Sequence, residues 1–128
     1  MAALTAVDRE EAAHITRTIE FPDRLSCAVH EASAGMTPID LASLDEVEAF
    51  LVVTTGDEVA ARGFHGRIQY VDPRMLANWV RNTIGDEELA TCLDDVVKTD
   101  QPYFLLVPQM KALVAERLAQ CEAALVEH

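Results

Sequence analysis

The strongest constraint on the fold comes from two consecutive segments whose apolar residues recur at helical spacing and form a stripe. Each segment begins with residues that favour the start of a helix. Asp72 and Pro73 supply the acidic N-cap and the first-position proline that favour a helix start. Apolar residues then recur every three or four positions, and Gly85 provides a left-handed stop, so we predict a helix over 73–84. Trp79 lies on this stripe and is predicted to anchor the core.

A second helix is predicted directly after the first. Asp86 can cap it, acidic residues occupy its first turn and Lys98 its last, as the helix dipole favours. A C-terminal helix over about 109–126 is predicted to carry a third apolar stripe. Its members are Met110, Leu113, Val114, Leu118, Cys121 and Leu125. The first two stripes need a shared partner, and this third helix is the one we predict.

Two further helices are predicted upstream. Ser43 and Glu46 have the spacing of a capping box, which predicts a helix that ends near Gly56. Residues 7–20 carry apolar side chains at helical spacing and stop before Pro22, which predicts a second amphipathic helix.

For two short apolar runs, the sequence does not decide between a strand and a helix. The run 102–108 is bracketed by prolines, and we favour a strand slightly over a helical turn. The run 68–71 alternates and predicts one strand of a hairpin with either 50–53 or 103–107. Apart from this run, residues 24–38 and 57–71 show no clear pattern.

Composition favours a single mainly α domain over residues 1–128. Half of the residues are hydrophobic, and the common ones, Ala and Leu, have high helix propensity. The length suits one core. We therefore predict a compact bundle of about five helices, with or without a small two- or three-stranded β element, and an α+β fold as the alternative.

Charge narrows the classes of partner. The chain has 22 acidic and 10 basic side chains and a formal net charge of -12. Such a surface repels phosphate polymers and anionic lipids, so neither nucleic acid nor a membrane is an expected partner. No signal peptide is recognisable, and we expect a cytoplasmic protein with reduced cysteines.

Cys27 and His30 form the one CxxH pair of the chain. If the segment were helical, this spacing would place a thiolate and an imidazole on one face, and both are good ligands for transition metals. The pair is therefore the candidate metal site, although further ligands would have to come singly from elsewhere. The alternative interpretations are an activated thiol and a buried cysteine beside a surface histidine.

Positive charge concentrates at one loop, where arginines frame two glycines. Glycines let backbone N–H groups approach an anion, so this loop is the candidate site for a small anionic ligand. A turn with solvated arginines is the structural alternative. The candidate ligand-binding residues are Arg62, Gly63, His65, Gly66 and Arg67.

No signature of a common enzyme class occurs in the sequence, and no particular cofactor is indicated. Catalysis is therefore less favoured than binding. The leading hypothesis is a small acidic interaction domain, regulatory or accessory, that binds a partner protein or forms a homodimer through the apolar face of its C-terminal helix. The alternative is a protein that binds an anion at Arg62 and Arg67 or a transition metal at Cys27 and His30.

Overall fold

The fold is given by a computed structural model, which describes residues 4–31, 35–51 and 67–126. These residues form five helices and a three-stranded sheet, which confirms the predicted mainly α class with a small β element. In chain order the elements are α1 (Arg9–Ile15), β1 (Leu25–Glu31), β2 (Gly35–Leu41), α2 (Leu44–Phe50), β3 (Arg67–Tyr70), α3 (Pro73–Trp79), α4 (Glu87–Val97) and α5 (Tyr103–Val126).

The helix pair predicted from its caps is confirmed. The Asp72 side chain accepts a hydrogen bond from the Arg74 N–H, and α3 continues into a π-helical turn, Val80–Ile84. Gly85 ends this turn with φ +85°, the left-handed conformation that favours glycine. The Asp86 side chain then caps α4 through the Leu89 N–H. Local chemistry thus fixes the sharp corner between α3 and α4.

The slight preference for a strand over 102–108 is wrong, because α5 begins at Tyr103 and includes this run. The Pro102 carbonyl accepts hydrogen bonds from the Leu105 and Leu106 N–H groups and so opens the first turn. Pro108 lies inside the helix on its exposed side. Apolar neighbours on the inner side are buried, and their packing offsets the backbone hydrogen bond that a proline cannot donate.

The two upstream helices form near their predicted positions. The Ser43 side chain accepts from the Glu46 N–H, while Glu46 reaches back to the Ala42 N–H, one residue before the ideal capping-box partner. Helix α2 ends at Phe50, and Gly56, where we predicted its end, lies outside the described residues. Helix α1 covers only part of the predicted range 7–20.

The sheet has the order β2-β1-β3 with both pairs antiparallel. The strand predicted at 68–71 exists as β3, and it pairs with β1. The predicted partner 103–107 is wrong because it is helical, while the other predicted partner, 50–53, lies partly outside the described residues. Leu25, Cys27 and Val29 alternate along β1 and are buried, so one face of the sheet lies against the core.

The core lies between this sheet face and the helices. Trp79 is buried, as predicted, and its indole N–H donates to the Asp23 carbonyl at 2.8 Å. From α5, Met110, Val114 and Cys121 are fully buried in the same core. Much of the apolar stripe of the C-terminal helix is therefore covered within one chain.

Candidate functional site

The outer part of the α5 stripe is not fully covered by the described residues. Leu118 and Leu125 are half-buried and Val126 is 66% exposed. They line an open groove of about 560 Å³ between α5, α2 and the end of α1, which we call the C-terminal groove. Its lining consists of Thr16, Asp45, Glu48, Ala115, Leu118, Ala119, Glu122, Leu125 and Val126.

The lining of the C-terminal groove combines apolar and acidic side chains. Asp45 of α2 and Glu122 of α5 are exposed, and no described cation lies within ion-pair distance of either carboxylate. Glu48 is 3.7 Å from the Lys111 ammonium, which also donates to the Glu48 carbonyl at 2.5 Å. The lining therefore keeps a negative charge next to exposed apolar surface.

A second concavity, the α1–α4 cleft, has a volume of about 710 Å³. Six carboxylates lie along it. Two belong to the N-caps of the helices and four to their first turns, where negative charge interacts favourably with the helix dipole. They are Asp8, Glu10, Glu11, Asp86, Glu87 and Glu88. Helix capping thus explains why the acids lie here.

Arg117 forms the back of the α1–α4 cleft and is only 2% exposed. Its Nε lies 2.7 Å from the Asp86 Oδ2, and the two groups form a buried ion pair. The guanidinium also donates to Glu88 at 2.7 Å and to the Thr5 carbonyl at 2.8 Å. Arg117 is therefore fully engaged in joining α5, α4 and the N-terminal segment.

Glu88 completes this network from the cleft side. Its carboxylate accepts from the Thr5 N–H at 2.6 Å and from the Thr5 hydroxyl at 2.9 Å. The Thr5 backbone hydrogen bond, followed by the Thr5 side chain and Arg117, holds the pKa of Glu88 below its usual value. Glu88 is therefore ionised at neutral pH and fastens the N-terminal segment to α4.

The predicted metal pair lies on β1, and the helical geometry on which its shared face depended does not occur. Positions three apart in a strand point to opposite faces. Cys27 is buried, and desolvation, with a smaller contribution from Asp40, raises its pKa to about 12, opposite to the shift that an activated thiol requires. The His30 side chain lies outside the described part of the structure.

Within the described side chains, no group of three or more His, Cys, Asp or Glu residues could hold a metal ion. Cys92 and Cys121 are also buried, and burial is the main cause that raises the pKa of both thiols. A metal at Cys27 and His30 stays a prediction.

Most of the predicted anion loop lies outside the described residues. This part is residues 62–66, while Arg67 is the first residue of β3 and its side chain is not described. The anion site at Arg62, Gly63, His65, Gly66 and Arg67 therefore stays a prediction.

Sequence reasoning missed both the buried arginine and the acidic residues of the C-terminal groove. A signal for Arg117 existed, because it follows Val114 by three positions and precedes Cys121 by four, on the inner side of α5. The acidic residues of the groove had no such signal, since Asp45 and Glu122 come to line one groove only through the packing of α2 on α5.

No family model, curated protein or solved structure matches this chain. Within the described residues, no helix combines the length and the apolar character that crossing a membrane would require. The functional interpretation therefore depends on the two concavities and their chemistry.

Proposed function

We propose that this protein is a small acidic interaction domain that binds a partner protein through the C-terminal groove, as an accessory or regulatory component. The observation that carries the proposal is the partly exposed apolar surface of the groove. Leu118 and Leu125 are half-buried and Val126 is exposed, whereas Met110 and Val114 of the same helix are fully buried. Contiguous apolar surface with a polar rim is typical of protein interaction sites.

The α1–α4 cleft supports a binding role less well. Asp8 and Asp86 are helix N-caps, Glu88 is held by Thr5 and Arg117, and Glu87 pairs with Arg81 at 2.9 Å. These contacts give most of the cleft acids a structural role. In the C-terminal groove, Leu118 and Leu125 pack against the core but stay partly exposed, and Val126 is exposed.

A partner protein is a better occupant than a second copy. Each chain carries a formal charge of -12, and a two-fold contact at the groove would bring the same acidic residues together. Light scattering on the purified protein should therefore report a monomer at micromolar concentration. A dimer that Ala119→Arg dissociates would instead make the occupant a second copy of the chain and contradict the choice of a partner protein.

The groove itself is tested with two arginine substitutions on one helix. Ala119 and Ala112 are both exposed alanines of α5, but only Ala119 lines the groove. We expect affinity capture from the source cells to retain the partner on the wild type and on Ala112→Arg, and to lose it on Ala119→Arg. Capture of the same proteins by all three chains would contradict the proposal.

A further inference from the structure

We infer that Pro38 keeps the outer edge of β2 from pairing with a second copy of this chain, so that an open strand edge does not become a dimer interface. This role is independent of the C-terminal groove. It follows from the place of β2 in the sheet, from the exposure of the strand and from its register with β1.

Strand β2 is an open edge of the sheet. Among the described elements it pairs only with β1, and its residues from Gly35 to Asp40 are all exposed. Two of them are large and apolar, since Met36 is 65% and Ile39 38% exposed. Such an edge offers unpaired N–H and C=O groups to another chain. The opposite edge, β3, has four residues against the seven of β2, so β2 is the edge that most needs protection.

The register directs the backbone of Pro38 toward this open edge. Pro38 lies opposite Ala28 of β1 and has no N–H, so the two residues cannot form a pair that exchanges two hydrogen bonds. Hydrogen-bonded and non-hydrogen-bonded pairs alternate along an antiparallel ladder. The N–H groups of Thr37 and Ile39 therefore point toward β1, and the residues between and beside them direct their backbone groups outward.

The missing N–H lies at the centre of the edge that a second copy would use. The outward N–H groups belong to Met36 and Asp40, one on each side of Pro38. The two-fold antiparallel pairing with the greatest overlap places Pro38 opposite Pro38 of the second copy, where both hydrogen bonds of the central pair are lost. A shift in either direction places Pro38 opposite Met36 or Asp40 of the copy, so a proline still interrupts the ladder.

Amide hydrogen exchange tests this arrangement in the wild-type protein. The amides of Thr37 and Ile39 donate to β1 and should exchange at least ~10-fold more slowly than those of Met36 and Asp40, which face solvent. Slow exchange at Met36 and Asp40 would overturn the inference, because their edge would then already be paired. Equal rates at the four positions would contradict the register.

Substitution of Pro38 tests the protection itself. Pro38→Val restores the central N–H on an apolar residue that favours strands, so we expect light scattering to report a concentration-dependent doubling of the wild-type mass. The amides of Met36 and Asp40 should then exchange at least ~10-fold more slowly than in the wild type. Thr37→Val is the matched control, because it adds the same side chain at a position whose N–H points toward β1. It should keep the wild-type mass.

A charged replacement separates edge pairing from loss of folding. Pro38→Asp also restores the N–H, but a two-fold pairing would place its carboxylate opposite the same carboxylate of the copy, so it should keep the wild-type mass. Circular dichroism compares the folds of the variants. An unchanged mass for Pro38→Val would overturn the inference. Equal association of Pro38→Asp or Thr37→Val would overturn it as well, because the restored edge would then not be the cause.

Discussion

At the scale of single residues, Trp79 combines apolar burial with a satisfied polar group. Its ring lies in the core, and its N–H donates to the Asp23 carbonyl in the segment between α1 and β1. The side chain therefore joins the α3 helix to a segment 56 residues away in sequence. A hydrogen bond of this kind contributes about 1 kcal/mol, so most of the stabilisation comes from packing.

We expect Trp79→Ala to lower the free energy of unfolding by about 3–5 kcal/mol, because truncation of a buried aromatic side chain leaves a cavity. Trp79→Phe keeps an aromatic ring and should cost less. Urea denaturation followed by circular dichroism measures both changes. A loss below ~1 kcal/mol for Trp79→Ala would contradict the role of Trp79 as the core anchor.

The sequence predicted which residues are buried where the spacing of apolar residues along a helix is sufficient to decide it. Trp79 lies on a regular apolar stripe, and its burial followed from that spacing. Arg117 lies on the inner side of α5 as well, but a charged residue is expected on the surface unless its partners are known. Those partners, Asp86, Glu88 and Thr5, come from distant segments, so its burial depends on the tertiary fold.

At the scale of elements, the corner between α3 and α4 depends on one glycine. Gly85 has φ +85°, and a Cβ built on it would lie 3.0 Å from the His14 Nε2 of α1. The backbone conformation and this close approach both favour glycine. A Cβ at this position would therefore have two energetic costs, the close contact with His14 and the strained backbone. The first can be relieved because the histidine side chain can move, whereas the backbone conformation is fixed by the corner.

We expect Gly85→Ala to destabilise the protein by about 1–2 kcal/mol, since a residue with a Cβ is strained in the left-handed region. His14→Ala removes the close contact. We therefore expect Gly85→Ala to cause most of the same loss of stability in the His14→Ala background as in the wild type. Thermal unfolding of the four chains provides the comparison. Full recovery in the double variant would show that the contact with His14, and not the backbone, requires glycine.

Helices were more predictable than strands because their signals are local. Asp72, Pro73 and Gly85 define the limits of one helical unit within the sequence itself. Strand β1 lies in a segment without a clear sequence pattern, and its partners β2 and β3 are set by contacts across the fold. The run 102–108 was misassigned because its prolines suggested boundaries, while the helix begins beside Pro102 and continues through Pro108.

At the scale of the whole molecule, the N-terminal segment is held by an ionisable network. The pKa of Glu88 is lowered from its ordinary value of 4.5, mainly by the hydrogen bond from the Thr5 N–H. A carboxyl group with a lowered folded-state pKa stabilises the fold above its ordinary pKa. This contribution is lost as the pH falls below that value and through the lowered one.

We expect wild-type protein to be more stable than Glu88→Gln at pH 7, and this difference to disappear as the pH falls below 4.5 and through the lowered pKa of Glu88. Urea midpoints measured from pH 7 to pH 3 test the trend. Glu10→Gln is the control, because no described cation pairs with Glu10 and its difference from wild type should stay small at each pH. A constant difference for Glu88→Gln at all pH values would contradict the assignment.

The hydrogen bond from Arg117 to Thr5 joins residues 112 positions apart. During synthesis on the ribosome, the contact between Arg117 and the segment around Thr5 therefore has to wait until α5 has been made. A nascent chain interrupted before α5 can form only the contacts of Thr5 with Glu88 of α4. Local helices can therefore form early, whereas the long-range contact between Arg117 and Thr5 forms last.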